Sequence, residues 1–154
     1  MSTPLELQKE LKKEMESLFK GFKLKNIDGE LSELKVYRQN LPAKTSQDDK
    51  DHFPHVRVIL ADGEDPGPTG ANTCRVMFIA GTWDNNEDMQ GFDDVMNIVQ
   101  KIYEHLIRTT FTRFTLEYPI NWKSHDEDTF PYFFAGMETT WTVGRITPPD
   151  NDLV

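Results

Sequence analysis

From Phe92 onward, apolar side chains fall at Phe92, Val95, Met96, Val99, Ile102, Tyr103 and Leu106, offsets of 0, 3, 4, 7, 10, 11 and 14. Spacings of three and four place them on one broad face of an α-helix, because a turn takes 3.6 residues. Such a face has to lie against another apolar surface. Asp93 and Asp94 fall in the first turn and Lys101, His105 and Arg108 toward the end, the charge order that the helix macrodipole favours. The pattern predicts the main core helix at about 91–108, with Phe92, Val95, Val99, Ile102 and Leu106 inward.

The surface for that helix comes from segments with a period of two. His55 to Leu60 alternates, and Cys74 to Ala80 is apolar more continuously, as in a strand lying deeper in a sheet. Residues 62–72 between them are rich in Gly, Pro and Asp. They read as an eleven-residue hairpin loop, mobile in a free chain and ordered by contacts with partners. Phe114, Leu116 and Tyr118 alternate after the helix. In 119–143, Pro119 and Pro131 limit where a ladder can start, since proline brings no backbone donor. Ser124 to Asp128, the run SHDED, is too polar to bury. Beyond it Met137, Thr139, Trp141 and Val143 share one strand face, and Glu138, Thr140 and Thr142 the other.

At the N-terminus Thr3 is placed to cap a helix, with Pro4 in the first helical position and Glu6 three residues beyond the cap. Leu7, Leu11 and Met15 make a slim stripe, and Gly21 is the expected stop. So narrow a stripe among charges suits docking at an edge or on a neighbouring subunit. Residues 22–27 and 34–37 read as short strands with a turn at 26–29, and 42–51 as a mobile loop. The resulting fold class is α+β: a single domain over 1–154, with a mainly antiparallel sheet covered by helices on one face. Its parts are an amphipathic N-terminal helix at 1–21, variable strands and a loop at 22–52, the main α+β body at 53–143 and a flexible tail at 144–154.

Length and charge narrow the function classes. A chain of 154 residues fits one core, and no run of about 18 apolar residues exists to span a membrane. The N-terminus lacks the apolar stretch of a signal peptide. One cysteine, Cys74, forms no internal disulfide, which suits a reducing compartment. Residues 1–50 carry ten lysines and arginines against nine acids, whereas 51–154 carry seven against seventeen. A body at −10 is a poor binder of a phosphate backbone.

Catalytic and metal-binding constellations find little support. The acids Asp62, Glu64 and Asp65 lack the alternating ligands and the closing glutamate of an EF-hand loop. Asp84, Glu87 and Asp88 precede a helix, where capping and the dipole explain them. His52 and His55 stand on an extended entry to a strand, and His105 and His125 are isolated, so no zinc spacing is present. Cys74 opens an apolar strand and reads as an inert buried thiol. No GxSxG, P-loop, GxGxxG or HExxH occurs. The expectation is a non-enzyme without cofactor or metal. Trp83 and Trp122 adjoin loops, and each suits either core packing or an interface.

Several ordered segments bear a likeness to a known family. They are Leu60-Ala61-Asp62-Gly63, Gly81-Thr82-Trp83-Asp84, Gln90-Gly91-Phe92-Asp93-Asp94-Val95-Met96-Asn97, Tyr118-Pro119-Ile120, and Phe130-Pro131-Tyr132-Phe133-Phe134-Ala135-Gly136-Met137-Glu138. Over roughly 53–143 the chain resembles the small tail-completion, or tail terminator, proteins of long-tailed bacteriophages and related phage-tail-like particles. The resemblance implies a small α+β protein that assembles in the host cytoplasm as a hexameric homo-oligomer ring in the virion neck. It would cap the tail tube protein, end polymerisation and meet the head-tail connector protein, with the sheath protein as a further partner if the tail is contractile. DNA would pass only in transit, repelled by an acidic lumen. Candidate contact residues are Leu7, Leu11 and Met15, the acids Asp62, Glu64 and Asp65, and the aromatics Trp83, Trp122 and Phe130. The alternatives are another neck protein, such as a head-tail joining or stopper protein, a small metal-dependent enzyme built on Asp62, Glu64, Asp65 or Asp84, and a monomeric adaptor.

Overall fold

The structure is a computed structural model, and residues 2–42 and 52–144 are described. Element order is α1 (Pro4–Leu18), β1 (Lys23–Lys25), β2 (Leu31–Glu33), β3 (Lys35–Arg38), β4 (His55–Glu64), β5 (Asn72–Trp83), α2 (Gln90–Arg108), β6 (Thr115–Ser124) and β7 (Tyr132–Val143). Strands β1 and β2 form a small hairpin. The other five make one sheet in the order β3-β4-β5-β7-β6, antiparallel except for the β3–β4 pair. This is the expected α+β domain with its helices on one face, and the continuously apolar β5 is the central strand.

The register explains the core. Val58, Phe78 and Met137 stand side by side across β4, β5 and β7, with Val56, Ala80 and Ala135 in the next row on that face. All six are buried, together with Cys74, Val76, Thr139, Trp141 and Val143. Helix α2 covers them with Gly91, Val95, Ile98, Val99, Ile102 and Leu106. Those positions keep the helical period but rotate the stripe from its expected setting. Phe92 is 41% exposed, a correction to the inward placement read from the sequence. The cause lies at Gly91: a Cβ there would overlap the Phe133 ring, so the backbone meets the sheet at that point and Phe92 is turned aside.

Helix α1 begins as its local chemistry predicts. Thr3 Oγ1 accepts from the Glu6 backbone N–H at 3.1 Å, with Pro4 in the first turn. It ends at Leu18 rather than Gly21, which follows in a turn at φ +78°. Its stripe is also placed differently from expectation. Leu7, Leu11 and Met15 have no exposed surface and belong to the same core as β4 and β5. They are core residues, so the docking role assigned to them is withdrawn. The stripe is slim because one helix face suffices to close the sheet beside α2. Gln8 fixes the helix further by donating from Nε2 to the Val58 carbonyl at 2.9 Å.

The loop expected at 62–72 is shorter than its composition suggests. β4 runs on through Glu64 after a bulge between Leu60 and Asp62, and β5 starts at Asn72, so the connection is 65–71. The Arg75–Asp62 pair described below holds this extension. The expected mobile loop at 42–51 lies outside the described residues except for Pro42, and the tail at 144–154 except for Gly144.

Candidate functional site

The helices leave the second face of the sheet bare among the described residues. Pairing sets its rows. Tyr37, Arg57, Ile79, Gly136 and Lys123 lie abreast from β3 to β6, followed by Ile59, Met77, Glu138 and Asn121, and then by Asp62, Arg75, Thr140 and Glu117. The centre is apolar and the margins are charged. A Cβ at Gly136 would stand 2.7 Å from Ile79 Cδ1, so Ile79 lies across the glycine and levels the floor. A groove of about 640 Å³ runs over this region, with Met77, Ile79, Phe134 and Gly136 below and Trp122, Lys123 and Asp126 among its walls.

One end of the face is closed by rings. Phe53 lies 4.7 Å from His55, 5.0 Å from Tyr132 and 5.9 Å from Phe134, centroid to centroid. His55 fits because its strand neighbour is Gly81, where a Cβ would come within 2.5 Å of the imidazole. The His55 Nδ1–H donates to the His52 carbonyl at 3.0 Å, since a carbonyl only accepts. Burial lowers its pKa from 6.5 to about 4, aided by the nearby Arg57 charge and opposed by the His52 hydrogen bond. It is a neutral, structural histidine.

The other end carries an ion cluster. Arg75 donates from Nε and Nη2 to the two Asp62 oxygens at 2.7 and 2.6 Å, and from Nη1 to Glu138 Oε1 at 2.7 Å. The hydrogen bonds from Arg75 hold the Asp62 carboxyl below its ordinary pKa. Asp62 is thus a partner of arginine and not a free ligand. Arg57 and Lys123 contrast with Arg75, for neither has an ion pair among the described residues.

The candidate contact residues do not form one cluster. Trp122 is 65% exposed and borders the groove from the edge strand, where it is registered with Met137 of the helix-covered face, whereas Asp62 stands on the open face. Glu64 and Asp65 are exposed at the tip of the β4–β5 hairpin, where Asp65 Oδ1 accepts from the Gly67 N–H. Trp83 is half-buried opposite Tyr132, and Phe130 is 45% exposed with its ring edge-on to Phe133 at 6.2 Å. Asp84 is buried and accepts from the Asn86 N–H. Cys74 is buried as expected, and burial pushes its thiol up to about 11, which keeps it protonated at neutral pH. Among the described residues no group of three or more His, Cys, Asp or Glu is placed to hold a metal. No helix among them is long and apolar enough to cross a membrane.

Arg57, Met77, Ile79 and Lys123 were not singled out in the sequence. A signal was present nonetheless: β5 is apolar at its outward positions Met77 and Ile79 as well as at its inward ones. Compared with protein-family models and with curated proteins, the chain matches none of either.

Proposed function

We propose that this chain is a ring-forming structural protein of a phage tail or phage-tail-like particle. As a tail terminator it closes on the end of the tail tube, stops polymerisation and presents a surface to the head connector. The observation that carries this reading is the sheet face that the described residues leave bare, apolar at its centre and charged at its margins. Monomeric proteins rarely leave such a face uncovered, and rimmed apolar patches mark contact surfaces. The likeness of segments across 53–143 supports the particular assembly. The excess of acids in 51–154 supports a lumen through which DNA slides without adhering.

Arrested tube growth is the test. Tail tube protein from the same particle is polymerised with and without this chain, and elongation is followed by light scattering. The expected result is tubes of limited length once the chain is present in small molar excess over tube ends. Elongation at an unchanged rate, with the chain left in the soluble fraction, overturns the proposal.

A further inference from the structure

A second surface can complement the cations of the open face. At the entry to α2, Met89 is 58% and Phe92 41% exposed, and Glu87, Asp88 and Asp93 are exposed around them. Phe130 extends this shoulder, since Phe133 joins it to the Gly91 backbone. The shoulder therefore offers Met89 and Phe92 ringed by carboxylates, with Phe130 beside them. The groove offers an apolar floor of Met77, Ile79 and Phe134, flanked by two cations without ion pairs among the described residues. Arg57 and Lys123 lie in one row across three strand gaps, about 14 Å between backbones. Of the groove's own carboxylates, Glu138 is held by Arg75, whereas Asp126 has no such cation among the described residues.

We propose that the open sheet face receives the α2 entry of a second copy of this chain, with Met89 and Phe92 over Met77 and Ile79 and the carboxylates of Glu87, Asp88 and Asp93 against Arg57 and Lys123. The partner is a second copy because the complementary surface is on the chain itself. Copies with a net charge of −9 repel one another in general, so contact falls where carboxylates meet cations. Two different patches meet, so the contact is heterologous, the kind that closes a ring when its rotation allows. The inference rests on the ring reading above and names the surfaces that build the ring.

Reversal of charge on each surface tests it in the full chain. One variant carries Arg57→Glu and Lys123→Glu. The other carries Glu87→Lys and Asp93→Lys, which leaves the Asp88 bond to the Gln90 N–H in place. Thermal melting first establishes that both fold, and assembly is then read by sedimentation and by microscopy of tube ends. Each variant alone is expected to need about tenfold or more protein for assembly, since like charges then face each other. An equal mixture is expected to recover wild-type assembly, because every contact in an alternating ring then pairs opposite charges. Rings that form in the wild type and ignore both reversals overturn the surface but not the ring, and leave the groove to residues 145–154 or to another tail protein. Folded variants whose mixture stays unassembled also overturn the surface. A wild-type chain that assembles neither alone nor on tubes overturns the ring reading itself.

Discussion

Trp141 is completely buried, and its indole N–H donates to Thr139 Oγ1 at 2.8 Å while that hydroxyl donates to the Val76 carbonyl at 2.7 Å. One hydroxyl thus serves both a buried donor and a buried acceptor. Thr139→Val keeps the shape and removes the hydroxyl, leaving the indole N–H unpaired, so a loss of about 1–3 kcal/mol is expected in urea unfolding. A loss below about 0.5 kcal/mol would show that the indole finds another acceptor. His55 gives a second, pH-dependent expectation. The unfolded chain takes up its proton near 6.5 and the folded chain near 4, so the unfolded chain holds more protons between those values. Stability from neutral His55 is complete above pH 6.5 and falls as pH drops toward 4, by at most about 3 kcal/mol. His55→Gln should flatten that part of the stability curve, and an unchanged slope assigns the dependence to other groups. The alternation of Met137, Thr139, Trp141 and Val143 was legible in the sequence. The role of His55 was not, because it depends on Gly81, 26 positions away, leaving room for the ring.

Both long helices are written in their apolar spacing, yet only the docking of α2 followed from it. Its wide stripe demands a sheet, while the slim stripe of α1 suits either a core or a neighbour. The core claims it, with Leu7, Leu11, Met15 and Phe19 each at most 1% exposed. Leu11→Ala should therefore cost about 2–5 kcal/mol, measured by denaturation, as a cavity in a closed core does. Removal of residues 1–20 should leave a body that aggregates, contrary to a separable docking helix. A soluble, cooperatively melting truncation would restore that idea. On α2, Val99 is 5% exposed, and Val99→Asp buries a charge without a partner; several kcal/mol are lost and folding fails. The strand ends were the least legible elements. Asp62 and Gly63 carry turn composition, but Asp62 is drawn into β4 by Arg75, which a local reading of composition does not reveal.

Across the whole molecule, the sheet is covered on one side by α1 and α2 and bare on the other among the described residues. The order of elements and the class followed from periodicity alone, since two helical stripes and alternating strands leave few arrangements. The bare face did not, because which side of a strand is covered depends on packing partners far away in the chain. Its apolar centre, its cations without ion pairs among the described residues and the acidic shoulder of α2 together support the proposed self-assembly into a ring that ends a tail tube. Electron microscopy of the purified chain at high concentration, alone and mixed with tail tubes, tests that claim most directly. The account predicts closed rings of six copies about the width of a tube, seated at tube ends. Monomers in solution together with tubes whose ends stay bare would contradict it.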